Sequence, residues 1–494
     1  MATFVFGLVL LLVGSMFYGK ICESVMKPDD RKTPALTKTD GVDFVPMKTW
    51  KNSLINLLNI AGTGPILGPI QGILFGPVAF ILIPIGNILG GSMHDYFSGM
   101  LSMRNNGMQM PDLVKKYTNN AVFNLYNVFV CLLMLLVGAV FIYTPGDIAA
   151  TQLFGFSGSA SAMSTWVIYA VIFVYYVCAT MFPIDKLIGR IYPVFGAILL
   201  FSAVGVFICL FTGGYHLDNV SLANWKGIHP GGQRLIPMFF ITVACGIVSG
   251  FHSTQTAIIS RSMTNEKQGR TTFYNMMILE GFIAMIWAAA AMAVYNKGVA
   301  IPFGEGAASP NSVVGIVAKD MLGQVGGFIA ILGVIVLPVT SGDTALRSLR
   351  LMVGDFLKID QKPIKNRLSI SSVIFVLVAA ILVWAKMSPG GFNTLWRYFA
   401  WSNQTIAIFA FAIITIYLLG KGHKIAPFMS LIPGAWYAFI TFTYICNAPI
   451  GLNLPMNVAY GLGIVFALAY SFLVYRKGVS MYASKAQLEA APVF

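Results

Sequence analysis

The chain has 494 residues, of which 57% are hydrophobic and 10% charged, against about a quarter charged in soluble domains. This composition excludes a water-soluble body of any size, because apolar runs long enough to cross a bilayer recur from end to end. A net charge of +14 raises nucleic acid as a partner, and the placement of that charge, given below, argues against it.

Hydropathy predicts helices over residues 2–19, 51–72, 74–103, 122–144, 164–182, 188–213 and 235–260 in the first half. Those of the second half are predicted over 272–296, 322–354, 368–386, 395–419, 427–447 and 455–476, about thirteen spans in all. The first has no basic residue ahead of its apolar run and positive charge behind it, so it reads as a retained helix with its N-terminus outside. With that orientation about six of the 32 basic residues face outward. Lys20, Lys27, Arg31, Arg104, Lys115, Arg261, Arg347, Arg350 and Arg476 are among those on the cytoplasmic side. The charge is therefore a topology signal, and nucleic acid is not expected. The six cysteines lie singly, with no spacing that suggests disulfides or zinc.

Two helices carry breakers and polar residues where the middle of the membrane should be. In the second, GTGPILGP (62–69) sets Gly62, Thr63 and Gly64 before a proline, where one helix can stop and another begin. The unpaired N–H groups and dipole of the restarted half would receive a carboxylate. A packing kink is the plainer alternative. In the seventh, SGFHSTQT (249–256) places Gly250, Phe251, His252, Ser253, Thr254 and Gln255 in an apolar span. Polarity of this kind must face protein or water, so these residues are substrate-binding candidates, with a hydrogen-bonded packing histidine as the alternative for His252.

Three further clusters are polar. GGSMHD (90–95) offers His94 and the intramembrane acid Asp95, a proton acceptor or a structural acid. TSGDTALR (340–347) offers Thr340, Ser341, Asp343 and Thr344 for a cation, with backbone oxygens near Ala61. Asp343 and Arg347 are also spaced to form a simple salt bridge. WSNQ (401–404) places Asn403 and Gln404 to line a cavity or to bond between helices.

The interrupted helices open two blocks of five spans, 51–213 and 235–419. An odd number per block inverts the second, the plan of inverted-repeat transporters of the LeuT type. The expected fold is thus an all-α polytopic membrane protein with a LeuT-like 5+5 core, preceded by one helix (1–20) and followed by two (427–476) and a cytoplasmic tail (477–494).

DGVDFVP (40–46), GTGPILGP, GGSMHD, CGIVSGFHSTQ (245–255), DTALR and WSNQ occur in this order, and together they resemble the carbon starvation protein A (CstA) family over about residues 20–405. The resemblance implies membership of the amino acid, polyamine and organocation transporter superfamily, and uptake of pyruvate with protons, or of peptides. The resulting expectation is an inner-membrane symporter for a small carboxylate, pyruvate first, driven by H+ with Na+ possible. A peptide transporter is the nearest alternative, with Asp95 as a candidate for the peptide's amino group. A passive channel or nutrient sensor is a different class. An intramembrane metal hydrolase built from His94, Asp95, His252 and Asp343 lacks anything like HExxH, so no enzyme activity, metal or organic cofactor is expected. The expected partners are the carboxylate substrate and membrane lipid, and the oligomeric state is open.

Overall fold

The computed structural model describes residues 1–40, 44–181, 185–227, 229–302, 309–360 and 363–490. Among these residues eighteen α-helices follow in chain order. They begin with α1 (Ala2–Met26), α2 (Pro34–Thr37), α3 (Thr49–Ile60), α4 (Gly64–Gly72), α5 (Ala79–Gly86) and α6 (Met93–Arg104). Then come α7 (Met110–Tyr117), α8 (Asn120–Ile148), α9 (Met163–Met181), α10 (Asp185–Thr212), α11 (Leu235–Thr242) and α12 (Gly250–Ser260). The last are α13 (Asn275–Asn296), α14 (Pro310–Phe356), α15 (Ile364–Met387), α16 (Gly391–Gly420), α17 (Phe428–Asn447) and α18 (Met456–Ala490). Among the described residues there is no β-strand.

Among the described residues ten helices are long and apolar enough to cross a membrane, or eleven if the bent pair α3–α4 is one span. α13 and α16 are almost wholly enclosed by protein, whereas α1 and α18 present Phe6, Phe17, Leu468 and Phe472 outward. An apolar outer face of this kind suits lipid, and the protein is a multi-pass membrane protein. α14 packs along both α8 and α10; α3 to α6, α12, α13 and α16 form a second group, joined to the first where α16 packs on α8, with α17 and α18 against α16.

Several predicted boundaries shift for physical reasons. Residues 74–103 do not form one regular helix: Gly76, at φ 89°, ends the turn after α4, and a π-turn at Asn87–Ser92 separates α5 from α6. The run 235–260 is divided between α11 and α12 by seven residues, 243–249. α14 begins at Pro310, twelve residues before the predicted start at 322, and folds over at Gly323 (φ 68°), a backbone conformation glycine adopts freely. α1 continues to Met26, beyond the predicted end at 19, and α18 reaches Ala490, taking in much of the segment read as a tail.

Candidate functional site

The two breaks meet at the centre of the protein. α3 stops at Ile60, and after 61–63 the chain restarts at Gly64 with a bend of 45°. Pro65 occupies the first turn of α4, where its missing N–H costs nothing. Ala61 and Thr63 are fully buried, and the Thr63 hydroxyl has no hydrogen-bond partner. Gly64 lies against Cys245 so closely that a methyl group there would overlap the cysteine side chain. Glycine is required here by that approach, not by a positive φ.

The second break is held from three sides. Asn87, in the π-turn, donates through Nδ2 to the carbonyls of Gly246 and Met277, each at 2.9 Å, tying the break to α13. Gly246 turns the chain at φ 88°. Asn403 of α16 accepts from the Phe251 amide at 2.8 Å and exchanges bonds with the Ser249 hydroxyl, so it caps α12 from a neighbouring helix. Gln404 donates to the Phe240 carbonyl on α11. Both residues therefore bridge helices.

His252 and Asp95 are brought together across α12 and α6. Asp95 Oδ1 pairs with His94 Nδ1 at 2.8 Å, and Oδ2 pairs with His252 Nδ1 at 3.0 Å. All three side chains are essentially inaccessible. Two ring N–H groups donating to one carboxylate are what make an acid tolerable in such an interior. Asp95 thus has neither oxygen free for a peptide's amino group in this state. His252 Nε2 faces Oε2 of Glu280, on α13, at 3.6 Å. Both Glu280 oxygens are buried without a well-formed hydrogen bond, although the Gly246 amide lies toward them. Cys245, His252 and Glu280 each bring one donor atom to within 4.8 Å of the others. The sequence reading did not single out Glu280; the signal was a lone acid in the apolar run of α13.

The other candidates fall less centrally. Ser253 and Thr254 turn their hydroxyls back to the Gly250 and Phe251 carbonyls of their own helix, at 2.6 and 2.7 Å; Gln255 is buried. α14 packs against α3 and α4, and on it Ser341 has a buried hydroxyl without a hydrogen-bond partner. Thr344 is half-buried on the same helix. The side chains of Thr340 and Asp343 lie outside the described residues. Arg347 donates to the Ala179 carbonyl at 2.6 Å.

Ion pairs sit near both ends of these helices. At one end Arg104 binds Glu266 through two bonds of 3.0 and 2.9 Å and also reaches the Lys27 carbonyl and Tyr417 hydroxyl. At the other, Lys386 of α15 pairs with Asp147 of α8 at 2.7 Å, with Asn311 and the rings of Tyr143 and Tyr169 around them. Among the described residues, open clefts of 410 and 340 Å³ lie elsewhere, one beside Lys226, His229 and Arg234 and one on an apolar face formed by α1, α10 and α13.

Comparison with known proteins agrees with this architecture. A membrane protein of Haemophilus influenzae described as uncharacterized is 40% identical over 349 residues, 61% of this chain and 93% of that protein. The peptide transporter CstA of Helicobacter pylori is 24% identical over 552 aligned positions, covering 87% of this chain and 79% of its own. The Escherichia coli peptide transporter CstA is also 24% identical, with 88% and 79% covered. Among solved structures, a mutant of the Eremococcus coleocola manganese transporter superposes with a TM-score of 0.57 at 11% identity, over 88% of this chain and 94% of that one. The same transporter bound to an aromatic bis-isothiourea compound gives 0.55 at 13% identity, over 90% and 99%. At such identities the likeness shows a shared fold and nothing about activity. The family model described as carbon starvation protein CstA matches residues 1–155, 146–308 and 290–444, and the chain accordingly belongs to the CstA family.

Proposed function

We propose that this protein is a secondary transporter that imports short peptides across the bacterial inner membrane by alternating access. The observation that carries the reading is the meeting of two interrupted helices, at Gly64 and Cys245, inside a buried polar cluster. A half-helix start of this kind offers N–H groups to a carboxylate at membrane depth; here it is that of α4, since Asn403 already caps α12, and the unpartnered Thr63 hydroxyl supplements it. The peptide assignment draws on the relatives named peptide transporters. Pyruvate would use the same carboxylate contacts and remains the second substrate to test.

The segments 51–213 and 235–419 act as inverted five-helix repeats in this proposal, within thirteen spans, with the N-terminus outside as the basic residues direct. The Arg104–Glu266 latch then closes the cytoplasmic end and Lys386–Asp147 the outer one. A cation gradient drives uptake, H+ first. Na+ is the second reading, favoured by the Ser341 hydroxyl, buried without a partner on the helix that flanks the first break.

The test is uptake of labelled dialanine and of labelled pyruvate into proteoliposomes, with proton and sodium gradients imposed separately. Concentrative dialanine uptake under one gradient is expected. Accumulation of pyruvate alone overturns the peptide assignment, and equilibration without accumulation indicates a passive channel.

A further inference from the structure

We propose that Cys245, His252 and Glu280 form a binding site for a borderline transition-metal dication of the zinc class. The thiol, imidazole and carboxylate donor atoms lie within 4.8 Å of one another, and all three side chains are buried. That separation needs only a small contraction to reach a tetrahedral set around a metal with bonds of about 2.0–2.3 Å.

Three features support a site rather than a chance encounter. The first is orientation: His252 is held through Nδ1 by Asp95 at 3.0 Å, leaving Nε2 directed at Glu280. A carboxylate behind a ligating imidazole is the usual outer support of a metal-bound histidine, fixing its tautomer and raising its basicity. Asp95 is itself anchored by His94 at 2.8 Å.

The second is an unfilled need. Both oxygens of Glu280 are buried without a well-formed hydrogen bond, with His252 Nε2 at 3.6 Å and the Gly246 amide lying toward them, an arrangement that is costly in an apolar interior unless a closer cation or a proton completes the interaction. A dication supplies it, and one carboxylate and one thiolate balance its charge within the ligand set. The third is rigidity. Asn87 binds the carbonyls of Gly246 and Met277 with one amide, so the break that carries Cys245 and the helix that carries Glu280 are fixed relative to each other before any metal arrives.

The mixed sulfur, nitrogen and oxygen donors select the class. Magnesium and calcium prefer all-oxygen cages, while thiolate with imidazole suits zinc or its cobalt surrogate. Three protein donors leave a fourth position for water or a solute group, as in zinc sites that are not closed. The site is read by binding alone and stands whatever solute the transporter carries.

The experiment uses the full chain, purified in detergent, stripped with chelator, loaded with Zn²⁺ or Co²⁺ and freed of loose ions by gel filtration. One metal per chain is expected, with the thiolate-to-cobalt absorption band and visible bands of tetrahedral cobalt. Cys245→Ser should abolish the thiolate band, and Cys446→Ser should leave it intact. Asp95→Asn should weaken zinc binding about 10–100-fold. Should Cys245→Ser fail to fold, Glu280→Gln provides the same comparison through stoichiometry. Substoichiometric metal in the folded wild-type protein, or a cobalt band that survives Cys245→Ser, overturns the proposal.

Discussion

Replacing Glu266 with alanine tests the latch at the basic end most directly. Glu266 is 1% exposed and Arg104 12%, and the acid accepts two bonds from the guanidinium and a longer one, 3.4 Å, from the Asp29 amide. Hydrogen bonds to charged groups contribute about 1.5–3 kcal/mol each. Arg104 keeps the Lys27 carbonyl and Tyr417 hydroxyl, and in an opened state water satisfies it in any case. The closed state should therefore lose about 2–3 kcal/mol relative to the open one, a shift of about 30–150-fold in their ratio. Hydrogen–deuterium exchange of segments 101–108 and 260–268 is the assay, in detergent, with thermal unfolding followed in parallel. Faster exchange at these segments is expected in E266A, with a smaller effect in E266Q, which can still accept from Arg104. Unchanged exchange in a protein that unfolds at the wild-type temperature would refute the latch.

Three further outcomes are expected. Asn403→Ala removes the cap on α12 and should cost about 1–2 kcal/mol, as substituting a side-chain cap does, measured as a drop in the thermal midpoint. Gly250→Ala sets a methyl group against the Asn403 carbonyl and the Ala407 amide; because both are backbone, the neighbouring helix must shift, costing about 1–3 kcal/mol, whereas Gly461→Ala, with open space around it, should show no loss in the same melt. Lys386→Met leaves Asp147 buried without its cation and should cost about 3–5 kcal/mol; the double variant with Asp147→Asn should recover most of this, and a double variant as unstable as the single one would show that the pair's charges were not the cause.

The apolar runs are long relative to any soluble alternative, and lipid imposes helices wherever they occur, so the all-helical membrane class was legible from composition and hydropathy. The breaks were legible too. Gly, Pro and polar residues inside such runs are expensive, and the chain is interrupted at 61–63 and 243–249, next to the expected breaks at 62–64 and Gly250. The π-turn at Asn87–Ser92 was not, because it inserts backbone without changing the apolar pattern. Glu280 obeyed the same rule that exposed Asp95 but stood alone, with no polar neighbours to draw the eye.

What only the tertiary structure decided is which of these residues meet. Helical period gives each helix a buried face but not the neighbour that covers it. α13 packs on α3 and α4, while α12 packs on α6 and α16. That arrangement carries Glu280 of one helix to His252 of another, sets Cys245 against Gly64, and turns Asn403 from a possible cavity residue into the cap of a broken helix. Local sequence determined where the helices had to stop; long-range packing determined that they stop at the same place.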